Sequence, residues 1–141
     1  MAHDRKSEIL STCPTVAVLG IHDDPARPAN YVPAYLHEQG YRILGVNPAL
    51  AGRTLFGQPV VASLAELHEP IDMVDVFRRS ELVANHQAEL LACKPRVVWL
   101  QLGVRNDAVA AALEAAGIEV VQDACTLAEH RRRGLGTPHR P

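Results

Sequence analysis

The stretch Thr15–Pro48, TVAVLGIHDDPARPANYVPAYLHEQGYRILGVNP, decides the fold. Thr15 to Leu19 is a continuous apolar run rich in β-branched residues, the pattern of a strand buried on both faces of a parallel sheet. Gly20 ends it, and the prolines and aspartates of Ile21 to Pro28 exclude regular structure. Asn30 is placed to cap the following helix, with Pro33 in its first turn, where a missing N–H breaks no helical hydrogen bond, and Gly40 to close it. Arg42 to Val46 reads as a second strand, stopped by Asn47-Pro48. Strand, glycine turn, helix and strand form the first half of a nucleotide-binding α/β domain.

Similar units recur downstream. Residues 49–61 hold Gly52, Gly57 and Pro59 and read as a crossing loop with at most a short strand piece. Ser63-Leu-Ala-Glu66 has capping-box form and starts a short helix that Pro70 ends. Ile71 to Phe77 is a third strand, interrupted by Asp72 and Asp75. These two aspartates face opposite sides of a strand, so hydrogen bonding to loops or helix ends explains them better than an acid/base pair. Ser80 opens a helix to about Cys93, Arg96 to Gln101 is a fourth strand, and Asn106 caps an alanine-rich helix. Ile118 to Gln122 is a fifth strand. Thr126-Leu-Ala-Glu129 repeats the capping-box pattern, and His130 with Arg131-Arg132-Arg133 reads as the start of a solvated basic tail. Five buried apolar runs separated by helices predict an α/β fold: a three-layer open parallel sheet of about five strands with helices on both faces.

With 141 residues there is room for one domain. A hydrophobic fraction of 48% and a formal net charge of −2 suit a globular protein and supply no field to gather nucleic acid or a membrane surface. The opening MAHDRKSEIL lacks the apolar core of a secretory signal, and nowhere do about eighteen apolar residues run together. A cytoplasmic protein is expected. Cys13, Cys93 and Cys125 form no CxxC pair and no metal-ligand spacing, so reduced thiols are expected and no metal.

Open parallel sheets bind ligands at the carboxyl ends of their strands, beside the point where strand order reverses. That rule selects Gly20-Ile21-His22, Asn47-Pro48, Phe77-Arg78 and Gln101-Leu102-Gly103. The helix after Gly20 would present its amino end to a phosphate. NAD held in the usual way requires G-x-G-x-x-G and an acidic residue about twenty positions on. The chain instead has Gly20-Ile21-His22-Asp23-Asp24-Pro25 and Val46-Asn47-Pro48, and no P-loop.

Taken in order, VAVLGIHDDPARPANYVPAYL, VNP, LAGRTLFGQPV, VDVFR, WLQLG and a terminal Asp123-Ala124-Cys125 resemble the free-standing coenzyme A-binding domain proteins. These are similar to the amino-terminal domain of succinyl-CoA synthetase alpha subunits and of ADP-forming acyl-CoA synthetases. The resemblance covers residues 14–134 and leaves 1–13 as an N-terminal arm or short helix and 135–141 as a flexible tail. It implies a Rossmann-like fold that holds CoA or an acyl-CoA along the strand ends. Gly20, Ile21 and His22 would lie against the diphosphate or pantetheine, and Arg27, beside Pro28, would supply a charge. Asn47 and Pro48 would border the adenosine, Phe77 and Arg78 would flank the ligand, and Gln101, Leu102 and Gly103 would face the pantetheine arm. Ala49 stands where many relatives carry a cation for the 3′-phosphate, and Arg53 is the residue that can compensate. Ala124 likewise replaces an arginine.

The acyl-CoA chemistry of the multidomain relatives needs a further domain with a phosphorylated histidine, so the resemblance implies a binding module without turnover. A small enzyme acting on an acyl-CoA or another nucleotide, with Cys125, His22 or an aspartate as catalyst, is the alternative. An interaction domain that has lost the ligand is a third reading. Cys125, just after the fifth strand, could meet the CoA thiol in a mixed disulfide or be an inert structural cysteine.

Overall fold

The computed structural model describes residues 4–141; residues 1–3 of the expected N-terminal arm lie outside the described residues. Strands β1 (Thr15–Leu19), β2 (Arg42–Val46), β5 (Met73–Val76), β6 (Val97–Leu100) and β7 (Glu119–Val121) form a parallel sheet in the order β2-β1-β5-β6-β7. Register pairs Val18 with Gly45 on one side and Asp75 on the other, and Asp75 with Trp99. The crossing loop carries a two-stranded antiparallel piece, β3 (Thr54–Leu55) and β4 (Gln58–Pro59).

Alternation along the strands sends each second side chain to one face. Val16, Val18, Ile43, Met73, Val97 and Trp99 share a core with Ile9 and Leu10 of α1 (Arg5–Thr12) and Leu36 of α2 (Pro28–Glu38). Ala17, Leu19, Leu44, Val74, Val76, Val98 and Leu100 face the other way, onto Leu90 of α3 (Gln87–Cys93) and Val109 and Leu113 of α4 (Asp107–Ala115). Helix α5 (Thr126–Arg132) packs against α1 and α2. The open parallel α/β sheet with helices on both faces is therefore realised. No helix among the described residues is long and apolar enough to cross a membrane.

Several local expectations are corrected. Helix α2 begins at Pro28 with Arg27 at the cap position, so Asn30 lies in its first turn and Pro33 in its interior. Pro33 cannot donate to the carbonyl of Ala29, which instead accepts the N–H of His22 at 3.1 Å. The loop before the helix thereby takes up the acceptor that the proline leaves. Asn30 Nδ2 donates to His22 O at 2.8 Å and fastens the same loop. Ser80 starts a 3₁₀ stretch, Ser80–His86, that runs into α3. It caps no α-helix; its Oγ accepts the N–H of Arg105 at 3.0 Å. Ser63 and Glu66 do form the capping box, on a 3₁₀ turn of three residues, and Asn106 caps α4 by accepting Val109 N–H at 3.0 Å. Thr126 is the first residue of α5 and not its cap.

The basic segment is folded. His130 is buried in α5, its Nδ1 paired with Tyr35 Oη at 2.8 Å and its Nε2 with Gly136 O at 3.1 Å. Arg133 bonds Asp4 and Glu129. Residues 135–141, expected as a flexible tail, lie against the amino ends of the strands: His139 N–H donates to Ser11 O, and Arg140 Nη2 donates to Asp72 Oδ2 and Thr15 Oγ1, each at 3.0 Å. Asp72 is buried and also accepts Thr15 N–H at 2.9 Å. Because Arg140 is half exposed, its pair with Asp72 is partly screened. Arg140→Ala should lower stability by on the order of 1 kcal/mol, read as a lower urea midpoint. An unchanged midpoint would show that Arg96, 3.7 Å from Asp72, suffices alone.

Candidate functional site

Strand order reverses between β1 and β5: from β1 the chain passes outward to β2, then returns across the sheet to β5 on β1's other side. The loops after β1 and β5 diverge there and leave a crevice. A cleft of about 910 Å³ opens at this point, within the range of small-molecule sites. Its walls bring together Gly20 and His22 after β1, Arg27 and Pro28 at the start of α2, and Asn47 and Pro48 after β2. Phe77 and Arg78 after β5, Gln101, Leu102 and Gly103 after β6, and Cys125 complete them.

Gly20 has φ +88°, and a Cβ there would lie 2.4 Å from the carbonyl oxygen of Phe77. Its N–H donates to Val46 O at 2.9 Å, so Gly20 lies in contact with both neighbours of β1. The glycine is demanded by the backbone before any ligand is considered. Asn47 Nδ2 donates to Ile21 O at 2.8 Å while its Oδ1 accepts Ala49 N–H at 2.9 Å, joining the β1 and β2 loops and capping the turn at Pro48. Gly103 N–H donates to Asp123 Oδ1 at 2.7 Å. Asp123 adopts φ +54°, a conformation that aspartate tolerates better than most residues.

Two of the expected contacts lie elsewhere. Ile21 is buried in the core and stands outside the cleft wall. Arg53 also stands outside it, with Nη1 donating to Asp23 Oδ2 at 2.7 Å. Cys125 is half buried on the wall, at the cap position of the seven-residue α5.

Arg79 joins Arg78 on the wall, as two arginines beside a strand end suggest, and the cleft also holds side chains outside the sequence expectations, chiefly Tyr31, His86 and Glu89. Arg78 Nε donates to His86 Nε2 at 3.2 Å, so His86 Nδ1 carries the proton and donates to Glu89 Oε1 at 2.7 Å. Glu89 Oε2 accepts Leu64 N–H at 3.3 Å. Glu89 thus orients His86, which in turn holds Arg78. The spacing of His86 and Glu89, three apart, was the available signal. Arg27 and Arg79 form a cationic rim, each 3.9 Å from a neighbouring carboxylate. The amino end of α2 carries no side-chain cap and borders the cleft; Pro28 has no N–H and Asn30 N–H donates to Arg27 O at 2.9 Å, so the Ala29 N–H, the helix dipole and these arginines are what favour an anion.

Behind the β6 wall lies Asp75, fully buried. Burial pushes its carboxyl up to about 7, against the opposing hydrogen bonds from Gln101 and Thr126. Gln101 Nε2 donates to Asp75 Oδ1 at 2.5 Å, and Thr126 Oγ1 donates to Asp75 Oδ2 at 3.0 Å.

Fold and cleft together define a Rossmann-like α/β domain with an anion-favouring crevice at its switch point. The chain belongs to the CoA binding domain family, whose model matches residues 14–131. It is 36% identical over 123 residues to protein YneT of Bacillus subtilis (strain 168), covering 87% of this chain and 90% of that one. The solved structure of cell-free ID.343 from Thermus thermophilus is 51% identical, superposes with a TM-score of 0.88, and covers 92% of this chain and 98% of its own. The dinucleotide-forming acetyl-coenzyme A synthetase 1 of Ca. Korarchaeum cryptofilum, solved with phosphate and ADP, shares the fold at a TM-score of 0.69 and 14% identity. The match covers 80% of this chain and 26% of that one.

Gly20→Ala should destabilise the protein without any ligand present, by several kcal/mol, because both the positive φ and the backbone contact oppose it. An unchanged melting temperature would refute this. Asp75 has a raised folded-state pKa. The folded chain keeps a proton that the unfolded chain has released, so the contribution to stability is complete below the ordinary carboxylate range and is lost as pH rises to about 7. Asp75→Asn should therefore gain urea resistance over wild type above that pH and show little difference in the carboxylate range. A constant difference across pH would argue against the assignment.

Proposed function

We propose that this protein binds coenzyme A, free or as an acyl-CoA, in the strand-end cleft and serves as a cytoplasmic carrier or sensor without turnover of its own. The observation that carries the reading is the convergence, in one cleft of about 910 Å³, of the uncapped start of α2 and of Arg27, Arg78 and Arg79. This lies in a chain matched over residues 14–131 by the CoA binding domain model. The diphosphate takes the Gly20–His22 turn and the start of α2, with Arg27 and Arg78 as cations; Asn47 and Pro48 border the adenosine; Gln101, Leu102 and Gly103 run along the pantetheine. This use of the cleft parallels the amino-terminal domain of succinyl-CoA synthetase alpha subunits.

Ile21 supports the turn from the core without touching the ligand, and Arg53 reaches the 3′-phosphate only by leaving Asp23, so discrimination between CoA and dephospho-CoA is small. Cys125 lines the same wall. Its thiolate, attacking oxidised CoA disulfide, would form a Cys125–CoA disulfide and release one CoA thiolate, so two sulfurs stay oxidised throughout.

A second reading, a small enzyme acting on an acyl-CoA, draws on His86, which Glu89 orients as it would a general base. Arg78 occupies Nε2, the nitrogen that would have to accept the proton, and this favours the binding module.

Isothermal titration with CoA, dephospho-CoA, acetyl-CoA, NAD and ATP tests the proposal. CoA and acetyl-CoA should bind, and Arg78→Ala should weaken both by about tenfold, roughly 1.4 kcal/mol. Binding of NAD or ATP with none of CoA would sink the reading. Loss of acetyl-CoA on incubation with the protein, abolished in His86→Ala, would instead establish the enzyme.

A further inference from the structure

The triangle of Asp75, Gln101 and Thr126 lies directly behind the cleft wall. Gln101 Nε2 donates one hydrogen to Asp75 Oδ1 at 2.5 Å and the other to Thr126 Oγ1 at 2.9 Å, while Thr126 gives its own proton to Asp75 Oδ2 at 3.0 Å. Every donor in the triangle is consumed. Gln101 Oε1 has no bonding partner among the described residues, yet Gln101 lines the cleft and no buried side-chain oxygen or nitrogen among those residues lacks a partner. The oxygen therefore faces the open cleft. An ionised carboxylate only accepts hydrogen bonds, so it allows one sense of the amide: nitrogen inward, oxygen outward.

We propose that Asp75 is a positioning residue that sets the sense of the Gln101 amide, so that the ionised protein offers the cleft a hydrogen-bond acceptor matched to an N–H group of the ligand. The inference rests on the CoA reading above: the pantetheine arm, whose amides carry such N–H groups, is the part of CoA that takes it. When Asp75 is protonated, its O–H donates to Gln101 Oε1, the amide turns over, and NH₂ meets the ligand's N–H. One proton thus exchanges an acceptor for a donor on the wall.

The surroundings leave this titration to Asp75. Its in-register neighbours are Val18 on β1 and Trp99 on β6, neither ionisable. From α5 the facing group is Thr126, and the ionisable Cys125 and His130 on that segment make no bond to Asp75. His130 is engaged by Tyr35 of α2 and by Gly136. On the cleft side, His22, Arg27, Arg78, Arg79, His86 and Glu89 likewise make no bond to Asp75. Burial is the leading cause of its raised pKa, and no charged side chain is among the causes.

The test compares CoA with adenosine 3′,5′-bisphosphate, which carries titrating phosphates and the adenosine but no pantetheine. Calorimetric affinities are measured one pH unit above and one below about 7. The competent fraction falls about tenfold across that span, so CoA affinity should fall about tenfold more than that of the bisphosphate. Asp75→Asn should remove the excess. Gln101→Met, which keeps the length and loses the acceptor, should weaken CoA at the higher pH, leave the bisphosphate unchanged and remove the excess as well. Equal slopes for the two probes in wild type, or a slope that survives in Asp75→Asn, would overturn the proposal. Should Asp75→Asn fail to fold, the wild-type pair of slopes and Gln101→Met decide it. Absence of wild-type CoA binding at either pH, by contrast, overturns the CoA reading itself.

Discussion

The contact between Gly20 and the Phe77 carbonyl fixes the rest of the site. β1 and β5 are neighbours although residues 20–72 intervene, and the chain leaves both strands in different directions at their carboxyl ends. For the two loops to diverge while the strands remain paired, the first must turn at once, and the carbonyl lying 2.4 Å from where a Cβ would sit leaves no room for a side chain. The Phe77 N–H completes the pairing by donating to Leu19 O at 2.9 Å. Cleft, cationic rim and the start of α2 are all placed by that one turn.

Polar side chains then hold the loops to each other instead of to a ligand. Asn47 reaches Ile21 O, Asn30 reaches His22 O, and His22 N–H reaches the Ala29 carbonyl that Pro33 leaves free. An interior proline in a helix ordinarily costs about 3 kcal/mol, partly through an acceptor without a donor. Here the acceptor is satisfied from outside, and the helix start is locked to the turn it faces. A site whose loops are bonded together in this way loses little freedom when a ligand arrives.

The strands were legible because burial on both faces demands long apolar runs, and four of the five strand ends could be named as cleft residues from topology alone. Helix starts were less legible. Pro28 and Asn30 are both good first-turn residues, and only the loop partner of Ala29 decides between them. Ser80 and Thr126 have capping chemistry but spend their hydroxyls on Arg105 N–H and on Asp75, long-range partners that no local pattern reveals. Ile21 departs from its expected place for a related reason: a residue beside a cleft residue points the other way, into the core. His86 and Glu89 reach the cleft from a 3₁₀ stretch and the helix after it, whose approach to the strand ends is a tertiary fact.

A buried carboxylate in a parallel sheet is expensive, and a hydrophobic side chain at position 75 would fit between Val18 and Trp99 more cheaply. Asp72, the aspartate just before β5, has Arg140 and Arg96 beside it, whereas Asp75 has an amide and a hydroxyl and no cation. Neutral donors stabilise the ion incompletely, which is why its pKa rises to about 7 while the hydrogen bonds oppose the shift. A purely structural anchor for Thr126 would be served by a neutral asparagine at lower cost. What the carboxylate adds is an acceptor with no donor of its own, the property that leaves the neighbouring glutamine a single orientation.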